Sequence, residues 1–287
     1  MSKLIIEGSN ELNGEVKIGG AKNSAVALLP AAILSNKKTI IYNVPDISDI
    51  KILMEILEIL NCKIKLEKDT MTIDTTQIKN APIPMELANK LRASYYFMGA
   101  LLAKFKEVEI FYPGGCKIGA RPIDIHLFGF RKLDVDIKQE DDKYILKTKE
   151  LIGNKIYLDF ASVGATINIM LAASKATGKT IIENAAKEPE IVNVASLLIN
   201  MGADISGAGT NKIIITGKKK LGNGVVEVFP DRIETATYMI IGFLAGGKLK
   251  LTNCIPEHIN AFLIKLREMR ISFKIKEDTI YIEKQTK

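Results

Sequence analysis

Cys116 stands in the segment Pro113-Gly114-Gly115-Cys116-Lys117-Ile118-Gly119-Ala120-Arg121-Pro122-Ile123-Asp124, with an arginine five residues on and an aspartate three beyond that. Glycines on both sides let a backbone move and approach a ligand closely. Lys117 and Arg121 set the thiol in positive potential, which favours the thiolate and leaves the cysteine chemically available. The Arg121 guanidinium can grip a phosphate through two parallel hydrogen bonds. The same residue types also suit a surface turn whose cysteine is only a small buried hydrophobe.

A second kind of chemistry belongs to helix starts, where free backbone N–H groups and the helix dipole favour anions. Lys22-Asn23-Ser24-Ala25, Arg92-Ala93-Ser94, Ser162-Val163-Gly164-Ala165-Thr166 and Arg232-Ile233-Glu234-Thr235 recur at intervals of 70 residues. Each opens an apolar stretch with helical spacing: AVALLPAAIL, YYFMGALLA, INIMLAAS and YMIIGFLAG. Helix starts that carry Lys22, Arg92 and Ser162 and converge on one cleft would hold a polyanionic small molecule. Taken singly, each has a plainer reading. Gly19-Gly20-Ala21-Lys22-Asn23-Ser24 lacks the spacer and the Lys-Ser/Thr pair of a phosphate loop. Lys22 alone reads more readily as a solvated lysine than as a ligand, and Arg92 equally as part of a packing interface. Arg232 has Asp231 and Glu234 beside it and is not counted as a site residue.

The elements that must position these residues repeat with the same period, and repeats are read before single elements. After each apolar helix comes a short β-branched run at 39–41, 108–110, 180–182 and 249–251, then a turn. An amphipathic helix follows, through IKILMEILEIL, IDIHLFGFRKL, IVNVASLLINM and INAFLIKLREM. Two alternating segments such as CKIKLEKDTMTID close the unit as a β-hairpin. The predicted unit is strand–helix–strand–helix–strand–strand, which makes the fold class α/β. Such a unit leaves apolar helix faces uncovered and is stable against copies of itself. A closed pseudo-three-fold arrangement, helices inside and sheets outside, fits better than an open rod. Four units do not divide by three.

Composition narrows the function classes. With 47% hydrophobic and 25% charged residues in 287, the chain is an ordinary globular protein long enough for two cores. The N-terminus meets Lys3, Glu7 and Gly8 too early for a signal peptide, and no apolar run reaches membrane-spanning length, so a cytoplasmic protein without membrane contact is expected. Cys62, Cys116 and Cys254 form no disulfide framework, and with only His126 and His258 there is no zinc-ligand spacing. The net charge of +7 is spread along the chain, with Lys218-Lys219-Lys220 the one run, so nucleic acid is not the expected partner.

The residues now resemble those of a known family. Lys17-Ile18-Gly19-Gly20-Ala21-Lys22-Asn23, Leu91-Arg92-Ala93-Ser94, the Cys116 loop and Ser162-Val163-Gly164-Ala165-Thr166 are similar to the enolpyruvyl transferases. So are Glu183-Asn184-Ala185-Ala186-Lys187-Glu188-Pro189-Glu190 and Pro230-Asp231-Arg232-Ile233-Glu234-Thr235. The likeness runs in order over the full chain, and the cysteine loop points to the branch that acts on UDP-N-acetylglucosamine at the start of peptidoglycan precursor synthesis. The shikimate-pathway relative shares the fold but lacks that loop.

The resemblance implies transfer of an enolpyruvyl group from phosphoenolpyruvate to the sugar 3-hydroxyl with release of phosphate, and no metal or organic cofactor. It implies Cys116 as general acid, able to add covalently to phosphoenolpyruvate, and Lys22, Asn23 and Arg121 around that substrate's charges. Arg92 and the stretch Arg121, Pro122, Ile123, Asp124 and Ile125 would hold the nucleotide sugar, with Ser162, Val163 and Gly164 on its diphosphate. Phe160 stands where some members carry a lysine, which removes one diphosphate contact. The cysteine loop would act as a lid that excludes water.

The family's fold has six repeats in two globules, with substrates between them. On that pattern residues 22–229 form a complete three-repeat globule bearing the cysteine loop, and residues 1–21 and 230–287 form one third of a second. The other two repeats would follow Lys287 and hold the aspartate that takes the sugar hydroxyl proton. The expectation is a chain with negligible turnover alone, completed by a separately encoded C-terminal half or associating through the apolar faces of the fourth repeat. A fragment that binds the nucleotide sugar without chemistry is the alternative.

Overall fold

The structure, a computed structural model, describes residues 3–5, 7, 8, 11–112 and 123–283. The chain divides into two compact units, residues 22–229 and residues 1–21 with 230–287. The helices in chain order are α1 (Lys22–Ala32), α2 (Ser48–Ile59), α3 (Met85–Lys90), α4 (Tyr96–Phe105), α5 (Asp124–Lys132), α6 (Val163–Ala173), α7 (Pro189–Asn200), α8 (Arg232–Ala245) and α9 (Asn260–Glu268).

In the unit of residues 22–229, α1, α4 and α6 are apolar on every side and buried along nearly their whole length. A helix without a polar face belongs in an interior. They meet at close quarters. A Cβ on Gly99 of α4 would lie 2.3 Å from the carbonyl oxygen of Asn168 in α6, so only glycine permits this approach. The Gly99 N–H donates to Asn168 Oδ1 at 2.9 Å, which satisfies a polar side chain in the core. The second helices α2, α5 and α7 bury one face each.

The strands lie outside these helices and alternate, as half-covered strands must. Val108 and Ile110, Thr180 and Ile182, and Ile213 and Ile215 face inward. Lys38–Tyr42, Thr70–Asp74 and Lys63–Glu67 pair antiparallel, and Gly224–Glu227 lies parallel to Lys38–Tyr42 with Gly224 opposite Thr39. Lys179–Glu183, Lys212–Thr216 and Asp204–Ser206 repeat the pattern, with Lys155–Tyr157 as the parallel neighbour. Glu107–Phe111, Lys143–Lys147 and Asp136–Gln139 pair antiparallel without a parallel strand among the described residues.

One device accompanies each parallel strand. Asn43 and Asn184 adopt the left-handed backbone conformation that asparagine tolerates. Their side-chain amides donate to Val228 and Leu158 carbonyls at 2.9 and 2.7 Å. Tyr112 occupies the corresponding place after Glu107–Phe111, where no parallel strand is described.

The other unit has the same plan in a single sheet. Gly14–Lys17 runs parallel to Leu249–Thr252, which pairs with Thr279–Ile282 and then Phe273–Lys276. Asn253 repeats the asparagine device, donating to the Ile18 carbonyl at 2.8 Å. Its core gathers Ile18, Met239, Leu251, Leu263 and Ile280. Unlike α1, α4 and α6, α8 leaves Ile240, Ile241 and Leu244 exposed.

Two details depart from the sequence reading. Arg92 opens a short 3-10 turn, Arg92–Tyr95, before α4 begins, and α3 precedes it without having been predicted. Six residues are too few for apolar periodicity to declare themselves as a helix. Among the described residues, no helix is long and apolar enough to cross a membrane, and no cluster of His, Cys, Asp and Glu could hold a metal.

Candidate functional site

The first helices of the 22–229 unit bring several predicted residues to one cavity. Lys22 and Asn23 open α1, Arg92 opens the turn before α4, and Val163 opens α6. All four line a cavity of about 520 Å³, together with Asp49, Lys90, Tyr95 and Glu190. Glu190 is buried in the first turn of α7, and Asp49 lies in the first turn of α2, where carboxylates complement the helix dipole. The cavity is therefore polar and of mixed charge, with three cations and two carboxylates on its wall.

Lys22 forms an ion pair with Asp49, and its own side chain remains half exposed. The Arg92 guanidinium carbon lies 5.6 Å from the centre of the Tyr95 ring, a cation–π geometry that holds the arginine against the wall. Tyr95 in turn meets His126 edge to face at 4.9 Å. Burial, then the nearby Arg92 charge, pushes the His126 pKa down to about 3. Burial also lifts the neighbouring Tyr96 phenol well above its ordinary value.

Ser162 caps α6, its hydroxyl accepting the Ala165 N–H at 3.3 Å. The Val163 and Gly164 N–H groups, in the same first turn, take no partner among the described residues. Phe160 just upstream is 69% exposed. Preformed donors and a positive helix end suit phosphate oxygens.

Of the predicted residues, Lys22, Asn23, Arg92 and Val163 thus share one wall, with Ser162 and Gly164 adjoining at the start of α6. Ile123, Asp124 and Ile125 do not line the cavity. Ile123 is buried ahead of α5, Asp124 is exposed in its first turn and Ile125 is half-buried. Their connection to the site runs through the next residue, His126. Cys116, Arg121 and Pro122 lie outside the described residues.

Sequence reasoning passed over Asp49, Tyr95, His126 and Glu190. Glu190 had a local signal, a proline at the first helical position followed by an acid. The other three are defined by partners distant in the chain, which no local pattern announces.

Comparison with known proteins gives a consistent picture. A family profile for EPSP synthase (3-phosphoshikimate 1-carboxyvinyltransferase) matches residues 6–287. UDP-N-acetylglucosamine 1-carboxyvinyltransferase 2 of Listeria monocytogenes is 49% identical over 280 residues, covering 98% of this chain and 66% of the relative. The Streptococcus pyogenes enzyme of the same name is 47% identical over 287 residues, covering 99% and 68%. The chain thus spans about two thirds of the length of the curated relatives it matches. Among solved structures, the enolpyruvyl transferase NikO from Streptomyces tendae superposes with a TM-score of 0.86 at 23% identity, over 98% of this chain and 68% of that one. EPSP synthase from Acinetobacter baumannii gives 0.74 at 19% identity, over 94% and 64%. At these identities the structural likeness speaks for the fold.

Proposed function

The chain belongs to the EPSP synthase family of enolpyruvyl (1-carboxyvinyl) transferases, and from that premise we propose that it takes part in enolpyruvyl transfer from phosphoenolpyruvate to the 3-hydroxyl of UDP-N-acetylglucosamine. The observation that carries this reading is the meeting of Lys22, Asn23, Arg92 and Val163 around one cavity. They come from three repeats whose anchors are 70 residues apart, yet they line a single wall suited to a polyanion.

In the proposed reaction a proton goes to the methylene carbon of phosphoenolpyruvate while the sugar hydroxyl oxygen bonds to the adjacent carbon. The hydroxyl proton leaves to a base, the bond to phosphate breaks, and loss of a methyl proton restores the double bond as an enol ether. Cys116 is the proposed general acid, for which a thiol titrating near neutrality would be suited. Lys22, with Asn23 and Arg121, offsets the phosphoenolpyruvate charges. Arg92, Arg121, Pro122, Ile123, Asp124 and Ile125 hold the nucleotide sugar, and Ser162, Val163 and Gly164 bind its diphosphate. This chemistry requires no cofactor, and its setting would be cytoplasmic peptidoglycan precursor synthesis.

The base for the hydroxyl proton is assigned to the third of the relatives' length that this chain does not match. The chain alone should therefore bind the nucleotide sugar but turn over negligibly. A phosphate-release assay with both substrates, run beside Cys116→Ser, tests the reading. Release that the substitution abolishes would overturn the assignment of the base. No binding of the nucleotide sugar by calorimetry would overturn the substrate.

A further inference from the structure

The run Lys218-Lys219-Lys220 has no part in the functional cavity. It sits at the far ends of the inner helices, whose starts form that cavity. The Lys104 ammonium, in the last turn of α4, donates to the Ser35 carbonyl at 2.6 Å and to Asn36 Oδ1 at 3.2 Å, just past α1. The Lys218 N–H donates to the Ser174 carbonyl at 2.9 Å, at the end of α6. The Asn36 N–H donates to the Leu221 carbonyl at 3.2 Å, and Ser35 Oγ to the Gly222 carbonyl at 2.9 Å. Between these tied segments lies a cavity of about 660 Å³, lined by Asn36, Lys37, Lys219, Lys220, Leu221 and Gly222.

The charge here is one-sided. Lys37, Lys104, Lys106, Lys175 and the lysine run form no ion pair among the described residues. Lysines near a helix C-terminus complement its dipole, but three helix ends supply roughly 1.5 negative charges against these ammonium groups. Lys104, Lys106 and Lys175 are half-buried, so water screens them poorly from one another. Burial, then the Lys175 charge, lowers the Lys104 pKa to about 8. Burial and Lys106 lower Lys175 in turn, and burial lowers Lys106 against the opposing charge of Glu150. The helix ends and Glu150 thus leave a surplus of positive charge around a concave surface.

We propose that this end of the 22–229 unit is a further anion site, which takes a short phosphate chain in the cavity between Lys37 and Lys219-Lys220, with Lys104 behind Asn36. Ammonium groups bind phosphate as point charges, without the planar geometry that arginine imposes. No aromatic ring lines the cavity, so the phosphates are recognised and a base attached to them is not. The inference stands apart from the function proposed above.

Calorimetry with inorganic triphosphate tests it on the full chain carrying Arg92→Ala, which weakens the hold of the functional cavity on anions. One equivalent should bind, and adding Lys219→Gln with Lys220→Gln should weaken it about ten-fold. Both side chains are exposed, so the double substitution spares the core. Location comes from an amine-acylating reagent read by mass spectrometry. Triphosphate should slow acylation of Lys104, Lys219 and Lys220 about three-fold or more and leave Lys22 unchanged. A nucleoside triphosphate should bind as tightly as the free chain, and a preference for it above ten-fold overturns recognition of phosphate alone. The proposal also fails if triphosphate gives no heat, if the double variant binds it unchanged, or if Lys22 alone is protected. Binding of a polyglutamate peptide without binding of triphosphate overturns it in favour of a protein partner.

Discussion

The Asn43 side chain donates to the Val228 carbonyl across 185 residues of sequence, at 2.9 Å. Asn43 ends the first strand of the 22–229 unit, and Val228 follows the last, Gly224–Glu227. One amide thus secures the pairing of the first and last strands, and the left-handed backbone at Asn43 aims it. Asn184 and Asn253 do the same for the other parallel strands.

Two substitutions at Asn43 separate aim from bond. Asn43→Gly loses the hydrogen bond but relieves the backbone, at a cost of about 1 kcal/mol. Asn43→Ala loses the bond and strains a left-handed residue as well, for about 2 kcal/mol in all. Urea denaturation should rank wild type above glycine above alanine. Equal stability of the two variants would mean that the backbone conformation carries no strain.

The thiols make a second test. Burial raises Cys62 to about 12 and Cys254 to about 11, so neither holds appreciable thiolate at pH 8. A thiol-specific chromogenic reagent should label one cysteine rapidly in the native chain and all three in denaturant. Cys116→Ser should remove the rapid phase. A rapid phase that survives the substitution would contradict the reactivity inferred for the Pro113–Asp124 segment.

Lys22 and Asp49 should act on anions with opposite signs. Lys22→Ala should weaken binding of phosphoenolpyruvate about ten-fold, since a charge-assisted hydrogen bond is lost. Asp49→Asn removes a negative charge from the same wall and should tighten it about two- to three-fold. Isothermal titration of both variants decides. A weakened Asp49→Asn would show that the carboxylate's chief effect is to hold Lys22 in position.

His126 should leave a mark on stability against pH. Unfolded, it takes a proton near its ordinary 6.5, whereas in the folded chain it does so only near 3. The unfolded state therefore binds more protons between those values, and stability is lost as pH falls from about 6.5 toward 3. His126→Gln should show a shallower decline over that range, with carboxylates such as Asp74 contributing equally to both proteins. Parallel declines would mean that the imidazole is protonated in the folded state.

What the sequence made legible follows from which interactions are local. α1, α6 and α8 begin within a residue of their predicted anchors, because an apolar stretch behind a polar start is a local pattern. Asn43, Asn184 and Asn253 were readable as turns, yet their partners Val228, Leu158 and Ile18 each follow a strand that lies 26 to 235 residues away in the chain. His126 looked like one residue of an amphipathic helix. Its meaning depends on Asn168, Tyr95 and Gly164, which arrive from three other segments.

The pairing of Gly14–Lys17 with Leu249–Thr252 also dictates an order of events during synthesis. Lys250 follows its neighbour in the sheet, Glu15, by 235 residues. At about 5–20 residues per second on the ribosome, the N-terminal strand waits roughly 12–50 s for its partner to be made. Residues 22–229 are complete before then and can close their own sheets first. Gly14–Lys17 thus finds its place only after the residues of 22–229 have been made, and until it does its edge is open to a chaperone or to another nascent chain.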